Sequence, residues 1–499
     1  MKKLFCTLLC IFTLTGCSFD FLKTEQTENP APEPLQTEAV PEAAASENVL
    51  NTALCTKAEF QPHSESNKIN RQSLSLVYEP LFYADAELNP VPALATGLEA
   101  HGNTVDIYMR ENVIWHDGSH FSAADAAYSI NLVASGYSVY KNTDIISAKA
   151  KNSNCVTVTL SRSVPNPELL FTFPVVKNKA PQSMTEPNGT GPFRFSGKES
   201  YDTYVFSAFD GYYGQKPAYS AVRMINARDE KRVKQLFDAG ETDVYVIGNE
   251  TMSSYTPRVN TKIYEYTLNN MIFIGFNTEK IPAEIRRAVR YAADRSAITE
   301  KVLSRTAVFS DIPMIPSPAT AQRASENVYS IERAENEMLA GGYERQNGMY
   351  KKGGSRCTLR FLLENDEEYG ALFDKLSKKL NNFGIECVKE TTDYYYERLN
   401  SGDFDAVIGS WQLDTDMSVI LGAGNVFSYE NPELQRLMTS WGETKNADIN
   451  AAFDIIAADA PIIPIAFKKA AVSISPKITS VPSPSFAFPL YGIGSWTLQ

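Results

Sequence analysis

CTLRFLLENDEEYGALFDKLSKKLNNFGIECV, residues 357–388, divides into three parts by the spacing of its apolar residues. Cys357 to Leu363 is an apolar run of strand length. Leu372, Phe373, Leu376, Leu380 and Phe383 then recur at helical spacing and mark one face. Gly384 stands where glycine commonly ends a helix, and Ile385 to Val388 reads as a second strand. Strand, helix, strand at this spacing predicts a parallel crossover, expected right-handed. Val407 to Ser410 adds another short strand after Asp405. This part of the chain therefore reads as α/β with a parallel sheet.

Upstream, Gln72 to Tyr83 reads as helix or extended chain, and Val105 to Met109 alternates as a strand does. Trp115 to Gly118 (WHDG) reads as a turn punctuated by Asp-Gly. Ser122 opens a helix, with Asp125 three residues on as a capping box and Ala126, Ile130 and Val133 at helical spacing. Val156 to Leu160 and Asp202 to Phe209 read as strands. Gly189 to Phe195 (GTGPFRF) reads as a tight turn feeding a strand. Phe209 to Tyr219 is an aromatic loop, Arg228 to Asp238 a short helix and Asp243 to Ile247 a buried strand. No internal repeat is visible.

The N-terminus has a different character. Lys2 and Lys3 precede an apolar run, Leu4 to Thr15, of the length a secretory signal uses. That run is short of the roughly 20 apolar residues a membrane span needs. Leu14-Thr15-Gly16-Cys17 resembles a bacterial lipobox, in which the cysteine is acylated and becomes the mature N-terminus. From Ser18 to Asn51 the chain is rich in Glu, Pro, Ala and Thr without helical or strand period. Such a composition buries too little surface to offset chain entropy, so a tether is expected there.

Bulk properties narrow the function. The chain has 499 residues, 43% hydrophobic, enough for a large core and two or more domains. Its formal charge is -12, with no basic block, so it carries no nucleic-acid footprint. Outside the leader the cysteines are Cys17, Cys55, Cys155, Cys357 and Cys387. No CxxC motif joins them, and only four histidines exist, so a zinc or redox site lacks its pattern.

Eleven motifs occur between about Leu74 and Phe467. In chain order they are LVYEPLF, PALAT, MRENVIWHDGSHFSAADAAYSI, GTGPFRF, FDGYYGQKP, and FIGFNTEKIP followed by EIRRAVRYAADRSAI. Then come AGGYERQNGMYKKGG, LNNFGIEC, GDFDAVIGSWQLD, YENPELQRLM and DAPIIPIAF. In this order they resemble the extracellular solute-binding proteins of the peptide/nickel group, family 5, which feed ABC transporters. WHDG with its helix, and GTGP, are the most specific.

The resemblance implies an α/β, two-lobed periplasmic-binding-protein-like fold of the class II type, with an extra small domain in the first lobe and two crossing hinge strands. The expected organisation is a leader over 1–16 and a lipidated Cys17 with tether over 17–51. Domain I follows over 52–78, 176–266 and 468–499, domain II over 79–175 and domain III over 267–467. The crossings are expected near Thr267 to Phe276 and Ile462 to Ile474.

The resemblance also places a ligand in the cleft between lobes. Asp414, in SWQLD, matches the aspartate that in peptide-binding members pairs with the ligand α-ammonium. A carboxylate in a water-poor cleft attracts a cation far more strongly than one in bulk water. The segment after it, TDMSVILGAGNVF, is shorter than the usual pattern, which puts the remaining wall in question. Trp411 reads either as a pocket wall or as the core tryptophan of its strand end. Asn425 and Tyr429 are further cleft candidates, with packing favoured for Tyr429.

Other residues read as structural. Trp115 to Gly118 shape a turn. His116 and His120 have the spacing of a metalloprotease pair, but Asp117 and Gly118 stand where that motif needs Glu and a helix former. GTG is no dinucleotide fingerprint, because Arg194 and a strand follow. Asp403 and Asp405 read as capping and solvating a loop rather than as a glycosidase pair. Asp294 reads as an N-cap. Phe209, Tyr212 and Tyr213 read as packing between domains.

The expectation is a lipid-anchored receptor on the extracytoplasmic face of the cell membrane, held by an acyl chain such as palmitate on Cys17. It captures a short peptide as a monomer and passes it to the transmembrane subunits of an ABC permease. It performs no reaction and uses no cofactor, resident metal or nucleic acid. Alternatives are another solute (a nickel chelate or a sugar), a peptide-signal receptor and, last, a lipid-anchored hydrolase.

Overall fold

The computed structural model describes residues 48–498 apart from 56–59, 87, 165, 180–185, 317–319, 414–417, 423, 441–448 and 481–482. The expected leader, Cys17 and most of the expected tether lie outside the described residues.

The first strand, Val49–Cys55, begins inside the stretch read as tether. It pairs in parallel with Ala221–Ala227 along its whole length, from Val49↔Ala221 to Cys55↔Ala227. Leu50 and Leu54 are fully buried, and their burial sets where order begins. Thr203–Ala208 and Phe193–Ser200 complete this four-stranded sheet. Over 72–83 the chain is helical only to Leu74, in a short helix Lys68–Leu74 capped by Asn67.

A second, smaller core lies wholly between Leu81 and Val175. Its sheet runs Ala95–His101, Thr104–Met109, Cys155–Leu160, Ile145–Ala150, all antiparallel. The helix Ala123–Ala134 covers it. Asp125 accepts from the backbone N–H of Ser122 at 2.9 Å, the reciprocal bond of the expected capping box.

The motifs of this region meet around one buried carboxylate. Glu79, 1% exposed, accepts from Thr190 Oγ1 at 3.0 Å, Tyr212 Oη at 2.8 Å and Tyr213 Oη at 3.0 Å. Burial pushes its carboxyl up to about 7, against the three hydrogen bonds and Arg110. His116 accepts from Gly189 N–H on Nδ1 at 3.2 Å, so its Nε2 carries the proton and donates to Gly191 O at 2.9 Å. Burial holds this imidazole down at about 4, so it stays neutral. A Cβ on Gly189 would lie 1.8 Å from Val77 O, which explains the glycine there. WHDG and GTGP therefore clasp the YEPLF segment.

The second lobe is built on the crossover. Thr358–Leu363 pairs in parallel with Glu386–Thr391, in register Thr358↔Glu386, and with Ala406–Gln412 on its other side. The intervening helix Glu367–Phe383 starts at Asp366, whose side chain accepts from Glu368 and Tyr369 N–H. It buries Leu372, Phe373, Leu376, Leu380 and Phe383. It ends at Gly384, with φ +115 and a Cβ position 2.7 Å from Gly348 O.

Two long antiparallel strands serve both lobes. Lys262–Phe276 has 15 residues, about 50 Å of extended chain, and Ile462–Ile474 lies against it. Tyr264, Tyr266, Val472 and Ile474 belong to the first lobe's core, whereas Ile272, Ile274, Phe276, Ile463 and Ile465 belong to the second's. Asp405 differs from its reading as a solvated loop acid, whereas Asp403 stays exposed while also pairing with an arginine. Asp405 accepts from the Arg360 backbone at 3.0 Å and its guanidinium at 3.2 Å, and Asp403 from Arg398 Nε at 3.0 Å. Long basic side chains from a neighbouring strand and helix reach them, contacts that sequence spacing does not reveal. Asp294 caps its helix, accepting from Ala297 N–H at 3.3 Å.

Candidate ligand-binding cleft

Because the strands Thr358–Leu363, Glu386–Thr391 and Ala406–Gln412 are parallel, their carboxyl ends share one edge of the sheet. The next strand, Lys262–Phe276, runs against them. A crevice outside the carboxyl ends of parallel strands is where α/β sheets bind ligands.

That edge is polar and aromatic. Tyr369, in the first turn of the crossover helix, donates its hydroxyl to Ser410 Oγ at 2.7 Å. Lys468 lies 3.3 Å from Glu368 and 5.4 Å from the Tyr369 ring centre. Burial opposes the charge on this ammonium, but Tyr369 and Glu368 outweigh it and hold the pKa above its ordinary value. Thr306 Oγ1 donates to the same Glu368 at 3.0 Å.

Trp411 pairs across the sheet with Met271. Its indole stacks on Phe273, centroids 5.9 Å apart and planes 13° from parallel, and meets the edge of Phe427 at 5.9 Å. It is half-buried. Two residues later Leu413 N–H donates to Asn269 O at 2.8 Å, and Asn269 Nδ2 returns a bond to Leu413 O at 2.8 Å. Asn269 sits in a bulge of the crossing strand, where three residues, 268–270, stand opposite Lys468 alone. The strand end before residue 414 is thus pinned to the bulge between the lobes. Asp414 itself lies outside the described residues.

Asn425 and Tyr429 are committed elsewhere. The Asn425 amide donates to Gly422 O at 2.9 Å and Tyr429 O at 2.7 Å, and its oxygen accepts from Phe427 N–H at 3.1 Å. Tyr429, 5% exposed, donates its hydroxyl to Asp459 at 2.5 Å. Burial, then the Asp459 carboxylate, pushes that phenol far above its ordinary value. Both residues hold their own loop together. Tyr369, Ser410, Glu368 and Lys468 were missed in the sequence. The available signal was the helix start directly after a parallel strand, which places its first turn at the crevice.

The first lobe reaches this region at several points. Leu88, at φ +64, and Phe486 pack against the second lobe's core. Asn249 Nδ2 donates to Thr306 O at 2.7 Å and Lys469 O at 2.9 Å. Lys469 in turn bonds Glu265 at 2.8 Å and Ser304 O at 3.2 Å. Among the described residues no group of three or more His, Cys, Asp or Glu is arranged to hold a metal ion. No described helix is long and apolar enough to cross a membrane.

Known proteins share this sequence pattern and this fold. Residues 89–421 match the profile of the bacterial extracellular solute-binding proteins, family 5 (middle). The oligopeptide-binding protein AppA of Bacillus subtilis is 22% identical over 407 residues, 73% of this chain and 75% of its own. The nickel-binding periplasmic protein of Escherichia coli is 22% identical over 430 residues, 79% of this chain and 81% of its own. Among solved structures, the unliganded open form of the periplasmic murein tripeptide-binding protein MppA superposes with TM-score 0.75 at 20% identity. It covers 91% of this chain and 98% of its own. Bacillus subtilis AppA with a bound nonapeptide gives TM-score 0.57 at 19% identity, over 91% and 99% of the two chains. What these structures share with the chain is the mixed α/β, two-lobed fold. The chain belongs to the bacterial extracellular solute-binding proteins of family 5.

Proposed function

We propose that the chain is the ligand-capturing component of an ABC importer and that its ligand is a short peptide. Asp414 pairs with the peptide's α-ammonium group, and Trp411 forms the wall beside it. The peptide backbone adds to a strand edge in the cleft, and closure is stabilised by the ligand's greater affinity for the closed form. Asn425 and Tyr429 shape the loop behind this wall. The observation that carries the reading is the pair of hydrogen bonds between Leu413 and Asn269, which holds the residue preceding Asp414 at the bulge between the lobes.

Cys17 carries the lipid that keeps the protein at the membrane face, and the tether gives the lobes reach to the permease. No covalent step is assigned to the cleft. The test is to denature purified protein and identify released ligand by mass spectrometry, then titrate refolded protein with free-amine tripeptides, nickel with free histidine, and a disaccharide. Peptide in the release and saturable peptide binding are expected. Binding confined to the nickel chelate or the sugar overturns the peptide assignment. A ligand recovered cleaved overturns the non-enzymatic reading.

A further inference from the structure

A cavity of about 310 Å³ opens in the second lobe, bounded by the helices Ala283–Ala292, Ile331–Ala340 and Ile449–Asp459 and the start of the return strand. A water's share of liquid volume is about 30 Å³, so the space suits a small molecule. At its floor, Arg290 and Arg295 converge on one carboxylate, Asp311. Arg295 is 2% exposed and also donates to Pro464 O, so it is sealed in. Arg290 is 7% exposed and lines the cavity. Its bond to Asp311, at 2.5 Å, is its one hydrogen bond among the described residues. The remaining N–H groups of its guanidinium have no acceptor among the described residues.

Two more guanidiniums line the cavity. Arg333 lies 4.0 Å over the Tyr291 ring and donates to its hydroxyl at 2.6 Å. Arg323 lies 5.5 Å over Phe453 and bridges Asp454 at 2.5 Å. The acids lining the cavity are Asp311, Asp454 and the exposed Glu326. With Arg295 behind, four guanidiniums face three carboxylates. A buried guanidinium without its own anion is costly, and its planar fork matches an oxyanion.

We propose that this cavity binds a small oxyanion, a carboxylate or phosphate group, on Arg290, with Arg323 and Arg333 flanking it. This second site is separate from the peptide cleft and does not depend on what the cleft binds.

The test follows thermal unfolding of the full chain in sodium phosphate or sodium acetate, with ionic strength balanced by sodium chloride. Saturable rises of about 2 °C or more are expected with at least one of the two anions. The anion that acts names the group. Arg290→Met leaves Asp311 paired one-to-one with Arg295, so the floor keeps charge balance, and it should abolish the rise. Arg333→Met, at the exposed rim, should raise the half-saturating concentration at least threefold. It serves as the test if the floor variant fails to fold. No saturable rise with either anion, or the same rise in both variants, overturns the proposal.

Discussion

At the scale of single residues, two carboxylates illustrate opposite uses of burial. Asp414 is assigned to a ligand charge. Asp414→Ala should weaken binding of free-amine peptides by at least about 1.5 kcal/mol, the lower end for a hydrogen bond to a charged group, measured by calorimetry. Equal affinity of the unaltered protein for an N-acetylated peptide would remove the ammonium role. Glu79 is assigned to the fold. Its carboxyl is raised to about 7 from an unfolded value near 4.5, so its stabilising protonated form is present below pH 4.5 and is lost as pH rises to 7. That change amounts to about 3 kcal/mol. His63 and His116 are lowered to about 4, both by burial, so their contribution is present above 6.5 and is lost as pH falls through 4. Between pH 4.5 and 6.5 the gain from the two histidines outweighs the loss from Glu79, so unfolding followed in urea should show greatest stability near pH 6.5. Glu79→Gln keeps acceptors for Tyr212 and Tyr213 and an amide facing the Thr190 hydroxyl. It should steepen the rise between pH 4.5 and 6.5 and remove the decline from pH 6.5 to 7, leaving the histidine limb. An unchanged alkaline decline in that variant would exclude Glu79 as its source.

At the scale of elements, the crossover helix and the GTGP turn are held by different physics. The helix Glu367–Phe383 is held by its apolar face, where Leu376 is 1% exposed. Leu376→Ala should cost about 2–5 kcal/mol in urea unfolding, the range for a cavity left by a deleted leucine. A loss under 1 kcal/mol would mean the face does not carry the packing described. The GTGP turn is held by close backbone approach. Gly189→Ala brings a methyl against Val77 O, where backbone and not a flexible side chain must yield. It should lower stability more than Thr190→Ser, which keeps the hydroxyl bonded to Glu79. The reverse order in melting temperature would contradict the contact.

At the scale of the whole molecule, the register of the crossing strands between Thr267 and Met271 is where the two cores separate. Hinges draw on a few residues that absorb backbone change. Saturation with a bound peptide should therefore lower the radius of gyration seen by small-angle scattering. An unchanged scattering curve at saturating ligand would exclude closure. Lys469, bonded to both Glu265 and Ser304, joins strand and turn across this point and should remain bonded in both forms.

Apolar period alone determined the elements with one clean face: the crossover helix, its flanking strands and the Ser122 helix. Such faces repeat at the helical or strand interval, so a linear reading recovers them. The resemblance carried the family and the two crossing strands, Lys262–Phe276 and Ile462–Ile474. Tertiary structure alone decided which polar groups meet. Glu79 collects donors more than 100 positions away, Asn269 bonds Leu413 from 144 away, and Asp405 finds Arg360 from 45 away. Asn425 and Tyr429 likewise turn out to be engaged by their own loop and by Asp459. A hydrogen bond requires two atoms within about 3 Å at a suitable angle, and chain distance carries no trace of that until the lobes are packed.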